Sequence, residues 1–128
     1  MRLIYIIGPY RAETSKQVCA NIIAAEHIAQ EVIELGIDLA PVTPHLLYCD
    51  LDEIRSDEYY LEATKEVLRK CDAALSVLDI STSEGSKAEV EECKRLGIPL
   101  FHSVDSLIRW HTANANKTQR IANANKRS

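Results

Sequence analysis

The side chains best suited to chemistry lie in segment 83–89, Ser-Glu-Gly-Ser-Lys-Ala-Glu. This segment leads from a predicted strand into a predicted helix, where free backbone amides and the helix dipole attract an anion. The small residues Ser83, Gly85 and Ser86 would let a phosphate approach the backbone, and Glu89 adds a carboxylate nearby. A second interpretation stays open, because Ser86-x-x-Glu89 also fits a capping box, in which Glu89 only satisfies backbone donors.

A second polar segment follows the first apolar run of the chain. Gly8 and Pro9 end that run, and Tyr10 and Arg11 come directly after them. A guanidinium at this place can hold a phosphate or a carboxylate through two parallel hydrogen bonds. The alternative is that Arg11 is a solvated surface charge and Tyr10 an aromatic residue at the rim of a site.

Two further candidates lie at the ends of predicted strands. His45 follows the Pro-Val-Thr-Pro sequence at 41–44, and Asp79 follows the third apolar run. We expect both to line a binding site, because ligands of parallel sheets collect at the carboxyl ends of the strands. For His45 a structural or solvated role is the alternative, since a single loop histidine often has one.

The order of the predicted elements brings these candidates to one edge of a sheet. Buried strands are predicted over 3–7, 37–40, 73–78 and 98–102, with helices from Thr14 or Ser15 to Gly36, over 56–70, and up to Gly97. The loop 41–45 is expected to lie outside the sheet because of its prolines. The alternation predicts an α/β fold, a flavodoxin-like or Rossmann-like three-layer sandwich with a mostly parallel sheet of about four to five strands.

Length and composition restrict the possible function classes. With 128 residues and 46% apolar content, the chain is expected to form one domain around one core. Its formal net charge of −4 argues against a nucleic-acid-binding surface. No apolar run has the length of a signal peptide or a membrane span. The four cysteines lack the spacing of a zinc site or a disulfide framework, which predicts reduced thiols in a cytoplasmic protein.

Two motifs together carry a resemblance to a known family. Tyr-x-x-Gly-x-x-Arg at 5–11 and Ser-x-Gly-x-x-x-Glu at 83–89 resemble motifs of the nucleoside 2-deoxyribosyltransferase family, which includes 2′-deoxynucleoside 5′-monophosphate N-glycosidases and CMP N-glycosidases. Cys71-Asp72 and the Leu-Gly-Ile-Pro turn at 96–99 extend the resemblance, which covers roughly residues 1–104.

The resemblance implies an enzyme with a retaining glycosidic mechanism. Glu89 would attack the anomeric carbon and form a glycosyl ester, and Tyr5 would orient the Glu89 carboxylate. As a group in the first turn of a helix, Glu89 is expected to stay ionised at neutral pH. The family further implies that no metal or organic cofactor is used. It also implies a homodimer or higher homo-oligomer whose neighbouring subunit completes the site, through segment 103–110 or the Asn-rich tail.

The substrate expected from the resemblance is a nucleotide. In the family, an acidic residue six positions before the glutamate suits a free 5′-hydroxyl, whereas a serine suits a 5′-phosphate, and Ser83 occupies this place. We therefore expect an N-glycosidase that hydrolyses a (deoxy)nucleoside 5′-monophosphate through a covalent glycosyl-Glu89 intermediate. A 2-deoxyribosyltransferase that moves the sugar to another base is one alternative, and a non-catalytic nucleotide-binding sensor is another.

One position departs from the family pattern. An acidic residue that assists the departing base usually precedes the Asp72 position by about two helical turns, and Thr64 stands there. Glu62 and Glu66 flank it and are candidate replacements, although residues two apart point in different directions on a helix. This departure keeps the sensor alternative open.

The last part of the chain differs in composition from the rest. Ala-Asn-Ala-Asn-Lys occurs at 113–117 and again at 122–126, without an apolar stripe. We therefore expect residues 1–110 to form the nucleoside 2-deoxyribosyltransferase-like domain and residues 111–128 to form a polar, frayed or disordered tail.

Overall fold

Residues 1–114 are described by the computed structural model, and they alternate between strands and helices. The strands are β1 (Arg2–Ile6), β2 (Leu39–Val42), β3 (Ala73–Leu75) and β4 (Leu100–Phe101). The helices are α1 (Ser15–Glu34), α2 (Asp57–Arg69) and α3 (Glu84–Leu96), with a short 3₁₀ helix at Pro44–Leu46. A further helix, α4, occupies 104–114.

The four strands form one parallel sheet in the order β2-β1-β3-β4. The predicted α/β fold is thereby confirmed, and the strand order is that of flavodoxin-like proteins. The chain moves from β1 to one side to form β2 and returns to the other side to form β3. Such a reversal leaves a crevice at the carboxyl ends of β1 and β3, where ligands of open α/β sheets bind.

Side chains along β1 alternate between the two faces of the sheet and pack into two separate hydrophobic cores. Ile4 and Ile6 pack on one face of the sheet with residues of α1 and with Leu107 of α4. Tyr5 and Ile7 pack on the other face, with residues of α2 and α3. Helices thus cover both faces, as predicted for a three-layer sandwich. The same alternation turns Tyr5 toward α3.

Short polar residues fix where the helices begin and end. The Thr14 side chain caps α1 by accepting a hydrogen bond from the Gln17 amide at 3.1 Å, and Gly97 ends α3 in the left-handed conformation, with φ of 71°. Both positions agree with the sequence prediction. Within residues 1–114, no helix combines the length and the hydropathy needed to cross a bilayer.

The prediction that loop 41–45 lies outside the sheet is wrong for its first two residues. Pro41 pairs with Ile4 and Val42 with Tyr5 in the parallel register of β2 and β1. The sheet tolerates Pro41 because β2 is an edge strand, and a residue on an edge strand faces a neighbour on only one side.

The prediction of a frayed tail from residue 111 is also wrong for its first four residues. They continue α4, and His111 is buried with its Nδ1 atom 2.8 Å from an Arg2 guanidinium nitrogen. Val104, Leu107 and His111 recur at helical spacing and face the core. The stripe that they form is short, and the polar Ala-Asn pairs that follow it made the segment look unstructured. The rest of the predicted tail, 115–128, lies outside the described residues.

We predict that Leu107→Ala lowers the free energy of unfolding by about 2–5 kcal/mol, because it empties a fully buried position between α4 and the sheet. Leu96→Ala is the matched control, since Leu96 is 43% exposed at the end of α3 and its loss should cost less than about 1 kcal/mol. Denaturant unfolding measures both. Equal effects of the two variants would show that α4 does not pack as described.

Candidate active site

A cleft of about 490 Å³ opens at the carboxyl edge of the sheet. Its walls come from the segments that follow β1, β2 and β3, together with one face of α2. Most of the predicted site residues line it: Tyr5, Gly8, Tyr10, Arg11, His45, Ser83, Gly85, Ser86 and Glu89. Fold and motif therefore converge on one place, and its volume lies in the range of small-molecule sites.

Two predicted substrate-binding residues do not line the cleft. Pro9 and Asp79 are absent from its walls. The Asp79 carboxylate instead accepts a hydrogen bond from the Ser81 amide at 2.9 Å, which lowers the pKa of Asp79. Asp79 thus stabilises the turn that leads toward α3 and lies beside the site instead of in it.

Glu89 and Tyr5 form a buried pair in the wall of the cleft. Only 7% of Glu89 and none of Tyr5 is exposed, and the Tyr5 hydroxyl donates a hydrogen bond to Glu89 Oε2. Burial raises the pKa of Glu89 to about 7, although the Tyr5 hydrogen bond and the charge of Lys65 act in the opposite direction. Burial also raises the pKa of Tyr5 well above its usual value, so the phenol keeps the proton that it donates.

The geometry corrects two expectations about Glu89. The helix begins at Glu84 with Ser83 as its N-cap, so the capping-box interpretation, with Ser86 as the cap, is wrong. Glu89 lies in the second turn, one turn further from the positive end of the dipole than expected. Burial raises the pKa of Glu89 toward neutrality, so the expected preference of this carboxylate for the ionised form at pH 7 is weakened.

The beginning of α3 presents small polar groups to the same cleft. Ser83 Oγ accepts a hydrogen bond from the Ser86 amide at 3.2 Å and donates one to Ser86 Oγ at 2.8 Å. A Cβ atom placed on Gly85 would meet no atom within 4 Å, so the backbone there is open to an approaching group. Such an end of a helix can receive an anionic group of a ligand.

Arg11 lines the cleft but is already paired with acidic side chains. Its guanidinium lies 3.2 Å from an Asp52 carboxylate oxygen and 2.8 Å from one of Asp57. It also stands over two aromatic rings, 5.6 Å from the centre of Tyr10 and 6.0 Å from that of Tyr60. The structure thus brings Arg11 to the site, with its charge directed to this protein's own carboxylates.

His45 is held in the wall of the cleft by the loop that follows β1. Its Nε2 lies 2.9 Å from the Gly8 carbonyl oxygen, and a carbonyl only accepts, so Nε2 carries the proton. Burial lowers the pKa of His45, which favours the neutral ring, and in that form Nδ1 is a lone-pair acceptor. Within residues 1–114 this Nδ1 has no hydrogen-bond partner. Gly8 makes room for the Leu78 side chain, since a Cβ there would lie 2.7 Å from Leu78 Cδ1.

Sequence reasoning missed the part of the wall that segment 44–64 supplies. This part comprises Pro44, Tyr48, Asp52, Asp57, Glu58, Tyr60 and Leu61. A signal was present, because Asp57, Leu61 and Thr64 recur at i, i+4 and i+7 and so share one face of the predicted helix.

The proposed replacements for the missing acid do not reach the cleft. Glu62 pairs with Lys65 at 3.5 Å and Glu66 pairs with Arg69, and neither glutamate lines the cleft. Thr64 does line it, but its hydroxyl donates to the Leu61 carbonyl oxygen at 3.1 Å. Thr64, which departs from the family pattern, therefore lines the cleft but supplies no carboxylate to it.

Metal-binding side chains are not clustered in the described part of the chain. Residues 1–114 contain no group of three or more His, Cys, Asp or Glu residues that could hold a metal ion. The four cysteines are free, and Cys71 and Cys93 are buried. That the reaction uses no metal or cofactor stays a prediction.

Comparison with known protein families gives one match, to a domain of unknown function (DUF7768), over residues 2–103. The chain belongs to this family. The DUF7768 match includes all four strands and every residue that lines the cleft, and it ends immediately before α4. No curated protein and no solved structure matches the chain. The resemblance to nucleoside 2-deoxyribosyltransferases accordingly stays a prediction.

We predict that Glu89→Gln stabilises this DUF7768 domain increasingly as the pH rises. The folded state holds the Glu89 proton more tightly than the unfolded state, so wild type loses stability between the ordinary glutamate pKa of 4.5 and about 7. From about pH 5 to pH 8 the difference in unfolding free energy should shift by about 2 kcal/mol in favour of the glutamine variant.

Glu92→Gln provides the matched control on the same helix. Arg95 and Arg69 lower the pKa of Glu92 to about 2, so its contribution to stability is complete above about pH 5 and is lost only as the pH falls toward 2. Thermal unfolding at several pH values should therefore give a constant difference for Glu92→Gln. A constant difference for Glu89→Gln would contradict the buried, proton-retaining carboxylate.

Proposed function

We propose that this protein is an N-glycosidase that hydrolyses the N-glycosidic bond of a (deoxy)nucleoside 5′-monophosphate through a covalent glycosyl-Glu89 intermediate. The observation that carries the proposal is the buried pair of Glu89 and Tyr5 in the wall of a cleft at the carboxyl edge of the sheet. A buried carboxylate beside a cavity, with its pKa moved toward neutrality, is typical of catalytic groups.

The pair suits nucleophilic attack on an anomeric carbon. Tyr5 holds Glu89 Oε2 through its hydroxyl, which fixes the carboxylate before the substrate arrives. Once ionised, Glu89 places a negative charge in a poorly solvated wall, where it stabilises an oxocarbenium-like transition state more strongly than it would in water. The ester that forms is then open to water, which completes a retaining hydrolysis.

The beginning of α3 suits the 5′-phosphate. Ser83 and Ser86 offer hydroxyl groups, and the open backbone at Gly85 lets an anion approach the first amides of the helix. Because Glu89 lies about one turn after Gly85 on the same helix, a phosphate at Gly85 and an anomeric carbon at Glu89 can belong to one bound nucleotide.

A non-catalytic nucleotide sensor is the second candidate, and one observation favours it. Thr64 lines the cleft at the position where nucleoside 2-deoxyribosyltransferases usually have an acidic residue. Glu62 and Glu66 pair with Lys65 and Arg69 outside the cleft and do not replace that acid. A cytoplasmic setting and a homo-oligomeric state also belong to the proposal, and they rest on the sequence resemblance and the cysteine content.

Release of free base decides between enzyme and sensor. We predict that the protein releases base from at least one ribo- or deoxyribonucleoside 5′-monophosphate and that Glu89→Gln lowers the rate by more than about a thousandfold, because the nucleophile is lost. Glu91→Gln is the matched control, since Glu91 is exposed on the same helix and pairs with Lys94 at 3.5 Å. Chromatography of the products measures the rates.

Two outcomes of that experiment would count against the proposal. If Glu89→Gln and Glu91→Gln release base at the same rate, Glu89 is not the nucleophile. If wild type releases no base from any substrate but monophosphates raise its unfolding temperature, the sensor replaces the enzyme. A new nucleotide formed when an acceptor base is added would instead identify a transferase.

A further inference from the structure

The charge of the cleft does not match an anionic substrate alone. Its lining includes carboxylates on Asp52, Asp57, Glu58, Glu84 and Glu89, whereas Arg11 is the one cationic side chain among the lining residues of the described chain. Both Asp52 and Asp57 engage that guanidinium, and Glu84 pairs with Lys87 at 3.4 Å outside the cleft lining. A ligand that carried only negative charge would meet an unfavourable field over much of this surface.

Three tyrosines, Tyr10, Tyr48 and Tyr60, line the cleft beside these carboxylates, and we call them the tyrosine wall. The rings of Tyr48 and Tyr60 lie 5.5 Å apart. The Arg11 guanidinium stands over the rings of Tyr10 and Tyr60 while it pairs with Asp52 and Asp57. The tyrosine wall already holds a planar, delocalised cation, and aromatic faces beside carboxylates are the usual receptor for one.

Three described residues of the cleft, Thr64, Asp52 and Asp57, have their side chains engaged and are poor proton donors for a departing base. Thr64 donates its hydroxyl hydrogen to the Leu61 carbonyl, and the ion pairs with Arg11 occupy Asp52 and Asp57. A neutral base needs a proton as its glycosidic bond breaks, and a positioned acid normally supplies it. A base that is cationic before the reaction needs none.

We propose that the substrate of this site is a nucleotide whose base is already cationic, such as a pyridinium or an N7-alkylated purinium. This inference rests on the proposed N-glycosidase function and deepens it. The cationic ring lies against the tyrosine wall and faces the carboxylates of Asp52 and Asp57. The ring thereby takes the place of the Arg11 guanidinium, and Arg11 becomes free to pair with the 5′-phosphate.

The chemistry balances without an acid. The Glu89 carboxylate forms a bond to the anomeric carbon while the bond from that carbon to the cationic nitrogen breaks. The bonding electron pair goes to the nitrogen, and the base leaves as a neutral molecule. Water then attacks the glycosyl ester, Glu89 leaves as a carboxylate, and the proton from water passes to solvent.

A matched pair of nucleotides tests the inference. N7-methylguanosine 5′-monophosphate and guanosine 5′-monophosphate differ by one methyl group and one positive charge. We expect the non-turning-over Glu89→Gln variant to bind the methylated nucleotide about tenfold more tightly, as titration calorimetry measures. We also expect wild type to release the methylated base with the larger rate enhancement, after each rate is divided by its uncatalysed rate.

Tyrosine variants test whether the tyrosine wall itself binds the cationic base. Tyr48→Leu should weaken binding of the methylated nucleotide about threefold to tenfold more than it weakens binding of guanosine 5′-monophosphate. Tyr59→Leu is the control, because Tyr59 touches Tyr60, with ring centres 5.1 Å apart, but does not line the cleft. Two lining carboxylates remain, and Glu84 pairs with Lys87 at 3.4 Å, so Glu58→Gln is the informative variant. Loss of neutral-base release alone would identify Glu58 as an acid and would overturn the cationic-base assignment.

The outcomes distinguish this inference from the proposed function. Glu89-dependent release of neutral bases with equal or tighter binding of guanosine 5′-monophosphate would overturn the cationic-base assignment and leave the N-glycosidase in place. No release from the methylated nucleotide or from nicotinamide mononucleotide would overturn the cationic-base assignment, and no release from any nucleoside 5′-monophosphate would overturn both. Release of the methylated base and of nicotinamide, with little release of guanine, would support both.

Discussion

The contact between Tyr5 and Glu89 is the constraint on which the site depends. It joins the central strand to α3 across the interface between sheet and helix, at a place from which water is almost excluded. Burial raises the pKa of the Glu89 carboxyl group to about 7, so this side chain destabilises the folded state at any pH at which it is ionised. The tyrosine hydroxyl reduces that cost and fixes the carboxylate.

The rest of the structure arranges the cleft around this pair. The strand order leaves a crevice beside β1, and the Ser83 cap starts α3 so that its second turn faces the sheet. The Gly8 carbonyl oxygen fixes the ring of His45 in the wall of the crevice. The segment between β2 and α2 then adds tyrosines and carboxylates that engage Arg11. The Glu89 carboxylate, the open start of α3 and the tyrosine wall thus share one cavity.

Much of this could be predicted from the sequence, and the exceptions have physical causes. Apolar runs and caps specify β1, α1, α2 and the end of α3, because local pattern determines them. The edge position of β2, which admits Pro41, is a tertiary property. The state of Glu89 depends on burial, and the pairing of Arg11 depends on a long-range contact with Asp52. The apolar stripe of α4 is short and lies beside repeated Ala-Asn pairs, which conceal it.

The most direct test of the central claim is to trap the glycosyl-enzyme. A 2′-fluorinated nucleotide carries an electron-withdrawing group that destabilises the oxocarbenium-like transition states. When it slows hydrolysis of the glycosyl ester more than formation of that ester, the ester accumulates. Intact-mass spectrometry after incubation should show a gain equal to one fluorinated glycosyl 5-phosphate, and peptide fragmentation should place it on Glu89. A label on another residue, or turnover of the analogue with no mass gain, would contradict the account.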